Sequence, residues 1–430
     1  MKKNVMPIMA YWGPHPHHWM QEELQGKEDP YAETINDEYF KMIADCGINV
    51  IDHCHTDYTR YPEEMIKSLE LAEKYGLGYV VKDEVLVEEA KASDADLEKL
   101  AERVKEYSKY PAYQGVYVVD EPKTKEYPIG VQPYMTEFPN VVANFKKMNI
   151  PYMCGLLPLY GEYDWDGWQQ IYKDYVKEYC EVMQTKELHC DHYPFVNDRE
   201  PRLDIYFWNL DVVREYAEAY DMVFINTVQC GGQWNDHMAH FDSIPYYPTE
   251  GQFIWNVNTC LAMGAKAVAY FPLIQPWHFA WAETTEYDFS RNGLIGGDGR
   301  KNQWYYYAQK VNKQVAAIDE VLLNTVFRGV IVSGEKAKAD LSPTKCVIAS
   351  GNFEELVSVT GDTLIGCFDY EGKTALYVVN YDMEKVGQIT LSFNKQQRLQ
   401  VIQNAKESNV DTDTLTLEME AGEGVLIVVQ

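Results

Sequence analysis

No run of the chain approaches the ~18 consecutive apolar residues that a membrane helix needs. Positive charge is scarce: 38 lysines and arginines stand against 66 aspartates and glutamates, a net charge of −28. A field of that sign repels nucleic acid and anionic membrane surfaces, so neither is expected as a partner, and a neutral or cationic substrate is easier to accept. No CxxC pair occurs, and the nine cysteines are scattered and odd in number. They read as reduced, mostly buried thiols of a cytoplasmic protein. The opening Met1-Lys2-Lys3-Asn4-Val5-Met6-Pro7 meets proline before any apolar segment develops, so no secretory signal is expected. No GxGxxG follows the first apolar run, no solenoid repeat or low-complexity linker appears, and no histidine lies beyond residue 278.

What is present is globular in balance, with 46% hydrophobic and 24% charged residues. Aromatics are plentiful, including 33 tyrosines and 10 tryptophans, which suits sugar-stacking clefts, cores and a homo-oligomeric interface alike. Across the first ~320 residues one unit recurs: a short apolar run, a polar loop, an amphipathic helix. The runs are Val5–Tyr11, Ile48–His53, Leu77–Val81, Gln114–Val119, Pro151–Leu157, Leu188–Tyr193, Met222–Val228 and Ala267–Phe271. Helical patterns such as Glu63–Tyr75, Asp94–Tyr107, Trp168–Met183 and Leu210–Tyr220 lie between them. Continuous apolar strands alternating with helices imply a covered parallel sheet, and eight units imply a (β/α)8 barrel over residues 1–325. After a last helix, Trp304–Leu323, short alternating strands and Gly-containing turns such as Glu371-Gly372 predict a small antiparallel β-sandwich over 326–430.

In such barrels the chemistry sits where the strands end. The first run ends in Tyr11-Trp12, the second in Asp52-His53-Cys54-His55, and the third in Lys82-Asp83-Glu84. The fourth ends in Asp120-Glu121-Pro122, the sixth in Asp191-His192-Tyr193, the seventh in Gln229-Cys230-Gly231, and the eighth runs out through Trp277-His278. The sharpest of these is Gly115-Val116-Tyr117-Val118-Val119-Asp120-Glu121-Pro122, an apolar strand that delivers a carboxyl to the barrel mouth. Apolar walls raise a carboxyl pKa, as a general acid requires. An acidic pair beside histidine, tyrosine and tryptophan favours glycoside chemistry, in which one carboxyl protonates the leaving oxygen.

Asp120-Glu121-Pro122 resembles the acid/base position of clan A glycoside hydrolases, whose usual form there is Asn-Glu-Pro. Pro248-Thr249-Glu250-Gly251-Gln252-Phe253, Cys260-Leu261-Ala262-Met263-Gly264-Ala265 and Asn292-Gly293-Leu294-Ile295 are similar to segments of bacterial β-galactosidase-like barrel proteins. The resemblance spans most of residues 5–325 and implies a glycosidase with Glu121 as general acid/base. One departure is important: the clan's nucleophilic glutamate ends strand seven, where this chain has Gln229. An amide cannot form the glycosyl ester. Asp191 can supply the second carboxylate; Asp120 and Glu121 can instead act as the Asp-Glu pair of substrate-assisted N-acetylhexosaminidases; or Glu84 or Glu283 can close into the site. Strands four and six lie two apart, roughly 9 Å before side chains converge, so direct contact between their carboxyls is not expected. Asp120 and Glu121, as neighbours on one strand, are expected to point to opposite sides unless the strand end twists.

The remaining polar residues divide between binding and packing. Trp12 and Trp277 read as the floor of a sugar subsite or as rim packing. His53, His55, His192, Tyr193 and Gln229 read as partners of sugar hydroxyls. Lys82 and Glu84 read as substrate contacts, or Lys82 as the partner of Asp83 or Glu84 in an ion pair. His53-x-His55 has the alternation of a metal pair, but the strand-four and late-strand ligands of metallohydrolase barrels are missing, so neither metal nor other cofactor is expected. The expectation is a glycoside hydrolase acting on a small oligosaccharide or glycoconjugate. The alternatives are a non-hydrolytic carbohydrate-binding barrel that has lost its nucleophile and, behind it, a metal-dependent hydrolase using His53 and His55.

Overall fold

The computed structural model describes residues 5–16, 33–53, 56–129, 132–159, 166–196, 201–232, 246–275, 292–349, 353 and 355–430. Eight parallel strands close into a barrel: β1 (Ile8–Tyr11), β2 (Val50–His53), β3 (Gly78–Lys82), β4 (Tyr113–Val119), β5 (Tyr152–Leu156), β6 (Glu187–Cys190), β7 (Val223–Gln229) and β8 (Val268–Phe271). β1 pairs with both β2 and β8, which is the closure that the eight-unit count predicts. Alternation along each strand sends one set of side chains to the helices and the other into the lumen. The lumen set includes Met9, Val50, Val80, Tyr117, Met153 and Ile225, a small cluster separate from the larger core beneath the helices.

The helices carry the local signals expected of βα units. Asn36 and Asp83 cap the helices Asp37–Asp45 and Glu84–Ala90 by accepting from the third residue on, and Gly76 ends Pro62–Tyr75 in the left-handed region that glycine adopts freely. Asp83, fully buried, also takes a two-pronged contact from Arg103, so the third strand end is bolted to the neighbouring helix. The single helix expected over Trp304–Leu323 is two helices, Gln303–Val315 and Asp319–Leu323.

The C-terminal region is a seven-stranded antiparallel sheet: β9 (Thr325–Ser333), β10 (Leu356–Thr360), β11 (Thr363–Tyr370), β12 (Lys373–Asn380), β13 (Gly387–Gln403), β14 (Lys406–Met419) and β15 (Gly424–Val429). Its order is β10-β13-β15-β12-β11-β9, with β14 on β13. The long β13 joins the two halves: its first part pairs with β10 and its second with β15, with a register shift between Ser392 and Gln397. The sheet thereby encloses its own apolar core, which includes Ile365, Leu376, Ile389, Leu399 and Ile427. Against the barrel helix Glu250–Ala262 the approach is close. Tyr377 Oη donates to Asn258 Oδ1 at 2.7 Å, Asn258 Nδ2 donates to the Gly422 carbonyl at 2.8 Å, and a Cβ on Gly366 would stand 2.3 Å from the Ala262 carbonyl oxygen. Among the described residues no helix is long and apolar enough to cross a membrane, and eight cysteines are free and buried.

Candidate active site

The site is built around an irregularity in β4. Its register on β5 slips between Tyr117 and Val119, so that two residues of β4 face one of β5. A bulge of this kind bends the strand and re-aims the side chains beyond it. Regular alternation would turn Asp120 out of the lumen; the extra residue turns it in. Glu121 then takes a left-handed φ of 44°, and its N–H still donates to the Gly155 carbonyl at 3.1 Å. Trp12, at the end of β1, is likewise left-handed with φ 67°. Non-glycine residues held in that region cost energy and gather where the surroundings over-determine them, often at functional sites.

Asp120 is clamped from two sides: Tyr11 Oη donates to its Oδ2 at 2.7 Å and Tyr117 Oη to its Oδ1 at 2.8 Å. Burial pushes this carboxyl up, while the two phenol hydrogen bonds and the Lys82 ammonium pull it back. Space for the clamp comes from β5. A Cβ on Gly155 would lie 2.3 Å from Asp120 Oδ1 and 2.9 Å from Tyr117 Oη. A Gly155→Ala variant is therefore expected to lose roughly 1–3 kcal/mol by overpacking, measured as a lower denaturation midpoint at unchanged slope. An unchanged midpoint would mean that Asp120 swings clear.

Glu121 meets Asp191, a direct contact that was not expected between the carboxyls of strands four and six. The two carboxyls share a hydrogen bond, because bulge and left-handed turn carry the Glu121 side chain toward β6. Burial first, then the charges of Asp191 and Asp120 and the bond to Asp191, hold Glu121 well above the usual carboxylate range. Two acids in contact in so dry a site retain one proton between them. Asp120 binds Tyr11 and Tyr117 while Glu121 binds Asp191, yet Glu121 lies close enough to Asp120 to feel its charge. Tyr193 completes the group: it hydrogen-bonds Asp191 and stacks on Phe271 at 5.9 Å between ring centroids. Phe271 in turn meets the edges of Tyr11 at 5.5 Å and Trp12 at 6.3 Å, giving an aromatic wall that rises from β8 and β1.

Other predicted residues occupy different places. Lys82 pairs with Glu84, Nζ to Oε1 3.0 Å, at the half-exposed end of β3. His192 is buried against the helix Leu203–Ala219: its Nδ1 lies 2.7 Å from Asn209 Oδ1 and its ring packs edge-on against Tyr206. Gln229 ends β7 but is tied down, since Nε2 donates to the carbonyls of Phe195 at 2.8 Å and Gly231 at 2.9 Å. Its buried Oε1 has no partner among the described residues. His55, Trp277 and Glu283 lie outside the described residues, as does the side chain of His53. Tyr117, Gly155 and Phe271 have no role in the sequence reading, and Tyr11 only its place at the end of the first run. Their signal was position alone, at or just before the strand ends.

No family model matches the chain, and no curated protein matches its sequence. Solved structures do match in shape. A β-galactosidase from Bacillus circulans sp. alkalophilus superposes with a TM-score of 0.57 at 10% identity, covering 99% of each chain. A catalytic mutant of a GH42 β-galactosidase from G. stearothermophilus gives 0.59 at 8% identity, over 100% of this chain and 98% of that one. The β-galactosidase of the psychrophilic Marinomonas ef1 gives 0.51 at 10% identity, over 99% and 100%. From barrel to C-terminal sheet, the chain has the fold of these β-galactosidase structures.

Proposed function

We propose that the protein is a glycoside hydrolase in which Glu121 protonates the leaving oxygen and Asp191 is the second carboxylate. The observation that carries the reading is the pair itself: two carboxyls joined by a hydrogen bond at the mouth of a barrel of glycosidase shape, one of them, Glu121, raised by burial and by its neighbour. A raised carboxyl is still an acid at neutral pH, and its partner keeps the charge. Tyr193 donates to Asp191 and so orients it. Carboxyls that touch in the free site open more readily to the ~5–5.5 Å of a retaining pair than to the ~6.5–9.5 Å that admits a water between them.

In this mechanism an oxygen of Asp191 bonds to the anomeric carbon as the glycosidic C–O bond breaks, and the Glu121 proton moves to the departing oxygen. Glu121, now a carboxylate, takes a proton from water. The hydroxide so formed displaces Asp191 and releases the sugar. Asp120 stays with Tyr11 and Tyr117 and supplies negative charge that keeps the Glu121 proton in place. The aromatic wall of Phe271, Tyr193 and Trp12 suits the apolar face of a neutral sugar.

Gln229 favours a second reading, a barrel that binds carbohydrate without cleaving it, because the position at the end of β7 holds an amide locked to backbone carbonyls. An aryl-glycoside panel covering galactose, glucose, N-acetylglucosamine and uronic acids separates the two. Turnover of at least one neutral glycoside, abolished in Glu121→Gln, is the expected result. Saturable binding of a sugar with no release of aryl alcohol would establish the second reading instead.

A further inference from the structure

Beneath the mouth lies a group of polar side chains that the proposed reaction does not use. Asp52, on β2, points into the lumen with none of its surface exposed. Across from it, His189 on β6 places Nδ1 3.4 Å from Asp52 Oδ2 and Nε2 2.7 Å from Thr227 Oγ1 on β7. Among the described residues neither oxygen of Asp52 has a well-formed hydrogen bond, so His189 Nδ1 is the polar group it faces. A fully buried carboxylate and a fully buried imidazolium each carry a desolvation cost that favours the neutral form, and a pair separated this closely can hold one proton with no net charge.

We propose that Asp52 and His189 are positioning residues that share one proton and form an uncharged floor beneath Asp120, leaving the proton of Glu121 in place at neutral pH. This rests on the reading of Glu121 as the proton donor. The link upward runs through Tyr117, which lies close enough to Asp52 to feel its charge and donates to Asp120 Oδ1 at 2.8 Å. A histidine alone at this depth, once protonated, would place a cation under Asp120 and draw the proton off Glu121. An aspartate alone, once ionised, would add a third negative charge to those of Asp120 and Asp191. The pair avoids both.

Among the described residues, groups from every side bear on Asp52. β6 contributes Glu187 below it as well as His189, β4 contributes Tyr117 and Asp120 above it, and β1 and β3 bring Tyr11 and Lys82 at their upper ends. β7 offers uncharged Thr227, and β8 and β5 offer Ala269 and Met153. Burial, with Glu187 and Asp120 adding to it, pushes Asp52 up to about 8, and burial pushes His189 down to about 4. Between those values the pair keeps its single proton. Above about 8 it becomes anionic, and that charge holds the Glu121 proton more tightly.

The test reads protons directly and needs no turnover, so it can fail separately from the glycosidase reading. In the intact wild-type protein, the imidazole nitrogens of His189 are followed by 15N NMR; no change is expected between about pH 5.5 and 7.5, and uptake of a proton near the ordinary histidine value of ~6.5 would overturn the pair. The Glu121 carboxyl is followed by 13C NMR in wild type and in Asp52→Asn, with Glu121→Gln giving the assignment. The two titrations should coincide below about pH 8, where both floors are uncharged. Above it the wild-type Glu121 should hold its proton to higher pH by roughly half a unit or more. Divergence below pH 8, or coincidence throughout, would each refute the proposal.

Discussion

Replacing Glu121 by glutamine is expected to lower the turnover of an alkyl or unactivated aryl glycoside by the roughly 10²–10⁴-fold that general acid catalysis contributes. The substitution keeps the shape and one hydrogen-bonding oxygen, so the contact with Asp191 survives while the transferable proton does not. A dinitrophenyl glycoside needs little protonation of its leaving group and should lose far less. The contrast between substrates is the diagnostic result, because a misfolded variant would lose both alike. The pH profile gives a second readout. Glu121 is raised by burial and by Asp191 and Asp120, so it stays protonated above the usual carboxylate range, and wild-type activity should persist into neutral pH before falling as this proton leaves. The basic limb should be missing from the residual activity of Glu121→Gln. Equal, small losses on both substrates would reject Glu121 as the donor.

The barrel was legible because its signal is redundant. Eight apolar runs recur, each is followed by a helix, and β1–β8 fall on those runs to within a few residues. Where the signal is single, the reading loosens. Residues 346–349 alternate as a strand would but, among the described residues, make only an isolated bridge, Val330 to Val347, while Leu356–Thr360, with Ser and Thr in its pattern, is the strand β10. The segments Gln388–Phe393 and Leu399–Gln403 are one strand, because the polar run between them is bridged by a register shift rather than a turn. Alternation reports which face is buried. It does not report where a strand bends without stopping.

The same limit governed the site. The strand-end rule found Asp120, Glu121, Asp191 and Tyr193, which do converge. It could not find that Glu121 and Asp191 touch, since the contact depends on a one-residue slip in β4 and a left-handed φ at Glu121. Neither leaves a mark in a sequence of ordinary apolar residues. His192 and Gln229 had the right positions, but their side chains are held by Asn209 and by two backbone carbonyls. Tyr11 and Tyr117, conversely, looked like strand residues and turn out to define the state of Asp120. Asp52 was visible only as part of the second strand end, and its pairing with His189 was hidden because the partner lies across the lumen.

Asp191→Asn is expected to have the other large effect, and its pattern separates the two remaining routes. If Asp191 forms the bond to the anomeric carbon, the amide abolishes turnover on every substrate, activated leaving groups included, because no protonation step can compensate for a missing nucleophile. A small anion such as azide or formate, entering beside the introduced amide, should then restore cleavage and give a product of the opposite anomeric configuration. Removing the Asp191 charge also removes one of the causes that raise Glu121, so the basic limb of the rescued reaction should move to lower pH. Asp120→Asn should behave differently. Asp120 already accepts from Tyr11 and Tyr117, one phenol on each oxygen, which leaves it poorly placed to orient an acetamido group on the substrate. Its loss should lower turnover moderately and by a similar factor for sugars with and without that group. If instead Asp191→Asn keeps its activity while Asp120→Asn loses it only on N-acetylated substrates, the nucleophile is the substrate's own amide oxygen. In that case the clamp on Asp120 must open when the sugar binds.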